Sequence, residues 1–154
     1  MAQEICDGRD NNCNGATDEG FPDSDNDGRA DCADCRPADP TTWAAPPEVT
    51  NVQAVLQDGG QYFLWDDLYF ALGSVMYDVF SGSLNALRQG AGDFSSGSCL
   101  YADQLNYACE VTAETPAVGD GLYFIVRGRN TCGTGAYGSS HADQTAGASP
   151  LACP

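Results

Sequence analysis

Residues 23 to 34 read DSDNDGRADCAD, five carboxylates within twelve residues and a glycine directly after the third. Like charges at that spacing repel one another, and Arg29 alone offsets them within the stretch. The surrounding segment has the same difficulty. Half of the chain's 22 acidic residues fall in the first 42 positions, where the large apolar side chains are few, Ile5 and Phe21 chief among them. A segment so poor in apolar surface cannot be ordered by burial. Either it is a solvated acidic linker, or something other than a core holds it.

The spacing points to a cation. A calcium loop of the EF-hand kind takes ligands from positions 1, 3, 5, 7, 9 and 12 and needs glycine at 6 for its sharp turn. Counting from Asp23 puts Asp25 at 3, Asp27 at 5, Gly28 at 6, the Arg29 carbonyl at 7, Asp31 at 9 and Asp34 at 12. A hard divalent ion turns the repulsion of such a set into coordination. Position 12 departs from the pattern in being Asp rather than Glu, so bidentate contact there needs a closer backbone. A weaker copy begins at Asp10, with Asn12, Asn14, Gly15, the Ala16 carbonyl and Asp18 at 3, 5, 6, 7 and 9. Phe21 at position 12 cannot ligate. Glu19, or an acid from outside the loop such as Asp7, must complete that shell, and fewer carboxylates imply weaker binding.

Charge and cysteine usage narrow the setting. The formal net charge is -16 and the chain has no lysine. Nucleic acids and anionic membranes need clustered cations, so neither is expected as a partner. No apolar run approaches the roughly 18 residues of a membrane span. Eight cysteines in a small acidic chain read as disulfides and an oxidising, extracellular or cell-surface location. No signal-peptide pattern follows Met1, so a secreted form implies a leader already removed or left out of this sequence. Eight cysteines allow 105 pairings. The local pairs are Cys6–Cys13, Cys32–Cys35, Cys99–Cys109 and Cys132–Cys153, and these are the expectation.

After the acidic arm (1–42) and a Pro-rich junction (43–47), the character of the chain changes. From 48 to 154, short runs rich in β-branched and aromatic residues alternate with Gly/Ser/Asp turns: EVTNVQAVL, QYFLW, VMYDVF, YACEVTA and GLYFIVRG. QDGGQ between the first two signals a hairpin, and SGSLNALRQGAGDF has room for one short helical turn. The expectation is a mainly β, two-sheet sandwich preceded by an irregular calcium-loop arm.

Several resemblances add to this. EICDGRDNNCNGATDEG resembles the Cys-Asp-Gly metal-binding repeat of secreted bacterial surface proteins, and DSDNDGRADCADCRPAD resembles the calcium repeats of the thrombospondin type 3 family. They imply side-chain ligands at Asp10, Asn12, Asn14, Asp18 and Glu19, then at Asp23, Asp25, Asp27, Asp31 and Asp34. APPEVTNVQAVLQDGGQYFLWD, YDVFSG and YFIVRGRNTCG together resemble a fibronectin type III domain of the immunoglobulin-like class. Trp65, Tyr77 and the Asn130–Gly133 corner stand where that family's pattern wants them. Leu122 occupies the place of the family's corner tyrosine, with Tyr123 one residue off. The aromatics are expected in the core; an exposed tyrosine cluster binding sugar is the alternative.

The remaining chemical candidates are weaker. Cys32 and Cys35 spell C-x-x-C without the βαβ pattern of a thioredoxin-like site. Zinc on Cys6, Cys13, Cys32 and Cys35 conflicts with the interleaved hard oxygen ligands. His141, the single histidine, has no signalled catalytic partner, and Arg127 and Arg129 read as strand-face charges balancing acids. The expectation is a non-enzymatic calcium-binding extracellular structural or surface protein that self-assembles head-to-tail or meets a cell-surface polymer. The alternatives are a carbohydrate-binding or adhesion module on a calcium spacer, and an accessory fragment of a larger secreted enzyme.

Overall fold

The computed structural model describes residues 2–57, 59–68, 74–111, 115–138 and 153–154. Among the described residues, seven strands form two antiparallel sheets. Strands β1 (Gln53–Gln57), β2 (Gly60–Leu64) and β5 (Ala108–Glu110) make the smaller sheet, in the order β1-β2-β5. Strands β3 (Met76–Ser83), β4 (Ser98–Gln104), β6 (Leu122–Asn130) and β7 (Gly133–Thr134) make the larger, in the order β4-β3-β6-β7. The expected hairpin joins β1 to β2, pairing Gln57 with Gly60 across a turn whose Gly59 has φ +82°. Left-handed backbone at a tight hairpin turn is where glycine has no steric penalty.

The sheets face each other as a sandwich. Alternate residues of β3 and β6 turn inward, so Tyr77, Val79 and Val126 meet Trp65 and Val111 from the other layer. Phe63 and Phe124 touch across the gap with ring centroids 4.2 Å apart, and Trp65 stands edge-on to Tyr77 at 5.4 Å. Trp65 and Tyr77, expected in the core, are both buried.

A second apolar layer lies on the outer face of the larger sheet. Phe80, Tyr123 and Tyr137 pack there, with Leu84 and Leu87 of helix α1 (Leu84–Gln89) and Phe94 of a following 3₁₀ turn. Ser83 caps α1, its hydroxyl accepting from Ala86 N and donating to Asp120. A Cβ on Gly97 would collide with Phe80 and Tyr123, so glycine there lets the turn close onto the sheet. Tyr123 therefore belongs to this outer layer, its hydroxyl 3.4 Å from the Phe94 carbonyl, and does not act as a corner tyrosine between the sheets. Also on this face, fully buried Asp78 pairs with Arg127 at 2.9 Å, and Arg127 lies over the Tyr137 ring. Arg129 reaches Asp103 at 3.3 Å. Both arginines thus balance acids from strand positions.

The disulfides correct every expected local pair. The bridges are Cys6–Cys32, Cys35–Cys132 and Cys99–Cys153, while Cys13 and Cys109 are free thiols. Cys99 and Cys109 lie in different sheets and on different faces. Cys99 is registered opposite Phe80 and so shares its outward face, whereas Cys109 is buried in the inner core. Cys153 comes to Cys99 on the outer face, which leaves Cys132 for Cys35. Cys35–Cys132 ties the arm to the corner after β6. Asn130 reinforces the tie by donating to the Ala44 carbonyl at 2.8 Å, while its own carbonyl accepts from Cys132 N and Gly133 N. His141 lies outside the described residues.

Candidate metal centre

The arm has no strand or helix among its described residues, yet its two acidic loops adopt the same local conformation. At position 4 both turn left-handed, Cys13 with φ 59° and Asn26 with φ 63°. At position 6 both use glycine, Gly15 with φ 94° and Gly28 with φ 93°. The acid at position 1 closes each loop: Asp10 accepts from Asn14 N and Gly15 N at 3.1 and 2.8 Å, Asp23 from Asn26 N and Gly28 N at 2.8 and 3.1 Å. Position 5 repeats the device, Asn14 accepting from Ala16 N and Asp27 from Arg29 N at 2.8 and 2.7 Å. Short Asx side chains bonding the backbone a few residues on favour such turns. Cys13, at the left-handed position 4 of its loop, is a free and exposed thiol, and Cys6 is bonded to Cys32 instead.

The second loop brings its first three acids together. Carboxylate oxygens of Asp23, Asp25 and Asp27 all lie within 4.8 Å of one another. With calcium–oxygen distances of about 2.3–2.6 Å, oxygens so spaced fit around one ion. Asp34 joins from position 12, buried at 8 % exposure and close enough for its charge to act on Asp25. Burial pushes the Asp25 carboxyl above its ordinary range, and the charges of Asp27, Asp34 and Asp23 push it further. One oxygen each of Asp25, Asp27 and Asp34 is buried with no hydrogen-bond partner among the described residues. Buried polar atoms are rarely left so, and unpartnered carboxylate oxygens on Asp25 and Asp27 of the cluster, with a third on nearby Asp34, are what a cation would satisfy. Asp31, expected at position 9, turns away: both of its oxygens accept from Ser24 at 2.7 Å.

The first loop sets amides rather than carboxylates against its acid. Glu19 accepts from the side-chain amides of Asn12 and Asn14, and the Asn12 bond, the largest cause, holds its carboxyl below the ordinary value. Turning the Asn12 amide over would present its carbonyl oxygen beside Glu19, whereas the Asn14 oxygen is held by Ala16 N. Glu4, which the spacing did not single out, accepts from Asn12 N at 2.7 Å. One oxygen each of Glu4, Asn12 and Glu19 is buried and unpartnered among the described residues. Asp18, expected as a ligand, is spent on the amides of Asp7 and Gly8 at 3.0 Å each. One oxygen of Asp7 accepts from Arg9 N at 3.1 Å.

Residues 1–19 match the family model named Cu-binding MopE and described as a putative metal-binding motif. The match covers the first loop through Glu19 and ends before the second. No curated protein and no solved structure matches the chain.

Proposed function

We propose that this chain is a non-catalytic extracellular protein whose arm is ordered by calcium and carried on a fibronectin type III-like sandwich. The observation that carries the reading is the cluster of unpartnered buried oxygens on Asp25, Asp27 and Asp34 beside Asp23. The metal-binding match over residues 1–19 supports it independently. The name of that family points to copper, but the donors gathered here are oxygens. Calcium takes six to eight such ligands, whereas copper favours imidazole or soft sulfur. The cysteines nearest the second loop, Cys32 and Cys35, are consumed in disulfides, and so is Cys6. Three disulfides support an oxidising location, and the three-plus-four strand order supports the sandwich type. No described helix is long and apolar enough to cross a membrane.

Head-to-tail assembly requires an arm able to dock on a neighbour. Cys35–Cys132 and the Asn130–Ala44 hydrogen bond seat this arm on its own sandwich, which supports a monomer instead. Calorimetric titration tests the ion assignment. The parent should take up two calcium ions, with constants of about 10⁻⁴–10⁻³ M, and Asp27→Ala only one. A parent that gives no heat with calcium, or that exchanges bound calcium for equimolar copper, would sink the reading.

A further inference from the structure

The ion cluster of the second loop stands between two covalent tethers. Asp34, which carries one of the unpartnered buried oxygens, lies two residues after Cys32 and one before Cys35. Cys32 is bonded back to Cys6, four residues ahead of the first loop, and Cys35 forward to Cys132 on the sandwich. Further contacts fix the same segment. Cys35 N donates to the Trp43 carbonyl at 3.2 Å, and Trp43 packs against the inner core. Arg29, whose carbonyl stands at position 7 of the loop, lies 6.0 Å above the Trp43 ring. The path from ion cluster to sandwich is therefore one residue long. The position of Asp34 is set by the bridge as much as by the loop.

We propose that calcium binding at Asp25, Asp27 and Asp34 is coupled to the Cys35–Cys132 bridge, so that opening the bridge weakens the ion site and calcium protects the bridge from reduction. This inference rests on the calcium reading above. Without the bridge, Asp34 must be drawn back against three like charges at each binding event, a cost the intact bridge has already met. Linkage makes the effect reciprocal: whatever factor the bridge adds to calcium affinity, calcium adds to the bridge's resistance. The reductant is a thiol such as glutathione. Two glutathiones give up two electrons and two protons and leave as one glutathione disulfide, while Cys35 and Cys132 become two thiols.

The test uses the full-length chain and calcium alone as ligand. Calorimetry reads the calcium heat that Asp27→Ala removes, in the parent, in Cys35→Ser/Cys132→Ser and in Cys99→Ser/Cys153→Ser. The first double variant should bind about tenfold more weakly, within the usual range of coupling, and the second should match the parent. In parallel, the unsubstituted chain is equilibrated in glutathione buffers with saturating calcium or with chelator, and alkylation with mass spectrometry reads the Cys35–Cys132 thiols. Calcium should shift the half-reduction ratio by the same factor. Equal affinity with and without the bridge, or an equal loss in both double variants, overturns the coupling while leaving the ion site standing. A parent that binds no calcium overturns both. Should Cys35→Ser/Cys132→Ser lose its β-sheet circular dichroism, the glutathione titration decides: a half-reduction ratio indifferent to calcium overturns the coupling.

Discussion

The arm and the sandwich are held by opposite means. Between the sheets, order comes from apolar burial, and Tyr77 and Val79 have no exposed surface. In the arm, order comes from Asx turns, two bridges and, as proposed, ions, and its largest apolar residues, Ile5 and Phe21, are exposed. The sandwich should therefore respond to volume changes and ignore chelators, and the arm should do the reverse. What the contrast teaches is that a fold with no core can still be specific. Its specificity is carried by a few directional contacts, each of which is costly to lose.

The largest effect should come from the core. Trp65→Ala empties a buried site beside Tyr77 and should lower stability by about 3–5 kcal/mol in a denaturant titration. A variant that unfolds with the parent would place the tryptophan outside the core and erase the contrast. Next in size is a difference between the two free thiols. Burial pushes the Cys109 thiol up to about 11 from its ordinary 9.0, which alone leaves about a hundredfold fewer thiolates at neutral pH. Under native conditions iodoacetamide should label exposed Cys13, and Cys109 only after unfolding. Equal labelling of both would show an inner core that opens as readily as the arm.

Chelation should act on the arm alone and more gently. At calcium tenfold above its dissociation constant, one site contributes about 1.4 kcal/mol. Hydrogen exchange at Asn14, Gly15, Asn26 and Gly28 should quicken on chelation, while Val79 and Val126 keep their rates. Faster exchange in both regions would mean that the sandwich, too, depends on the ions. The smallest effect concerns Asp120. The Ser83 hydroxyl, then the Gly121 and Asn85 amides, hold its carboxyl below the ordinary 3.8. A depressed carboxylate stabilises the fold above pH 3.8, and that contribution is lost as the pH falls through the folded value. Asp120→Asn should flatten the acid limb of the stability curve, and an unchanged limb would remove the carboxylate from the cap of α1.

Much of this was legible in the residues and some of it was not, for definable reasons. The two loops could be read because their turns are local: Asp at 1 and Gly at 6 bond and bend within one loop. The acids at position 9 could not, because Asp18 and Asp31 are captured by donors at Asp7, Gly8 and Ser24 that compete with any ion. Glu4 escaped notice because it reaches Asn12 from outside the spacing. Five strands are visible as apolar runs, but β4 and β7 are not: SCLYADQ mixes polar and apolar positions beneath its bulges, and Gly133–Thr134 is too short to form a run. The disulfides were misread because proximity in sequence says nothing about which face a cysteine takes. Only register and layer separate Cys99 from Cys109.

The bridges also determine how the molecule carries load. Tension running along the chain from Glu4 to Tyr137 enters Cys32 through Cys6 and enters Cys132 through Cys35, taking the covalent short cut at each step. The loops so bypassed span 26 and 97 residues; the shorter contains the first acidic loop and most of the second, and the longer nearly all of the sandwich. Behind the longer bridge lies about 330 Å of chain, at roughly 3.4 Å per extended residue. None of that length can pay out while the sulfurs are joined. Under pull the protein is a short strap of bonded segments with its folded parts slung alongside, slack and unloaded, and reduction of Cys35–Cys132 is what would convert it into an extensible tether.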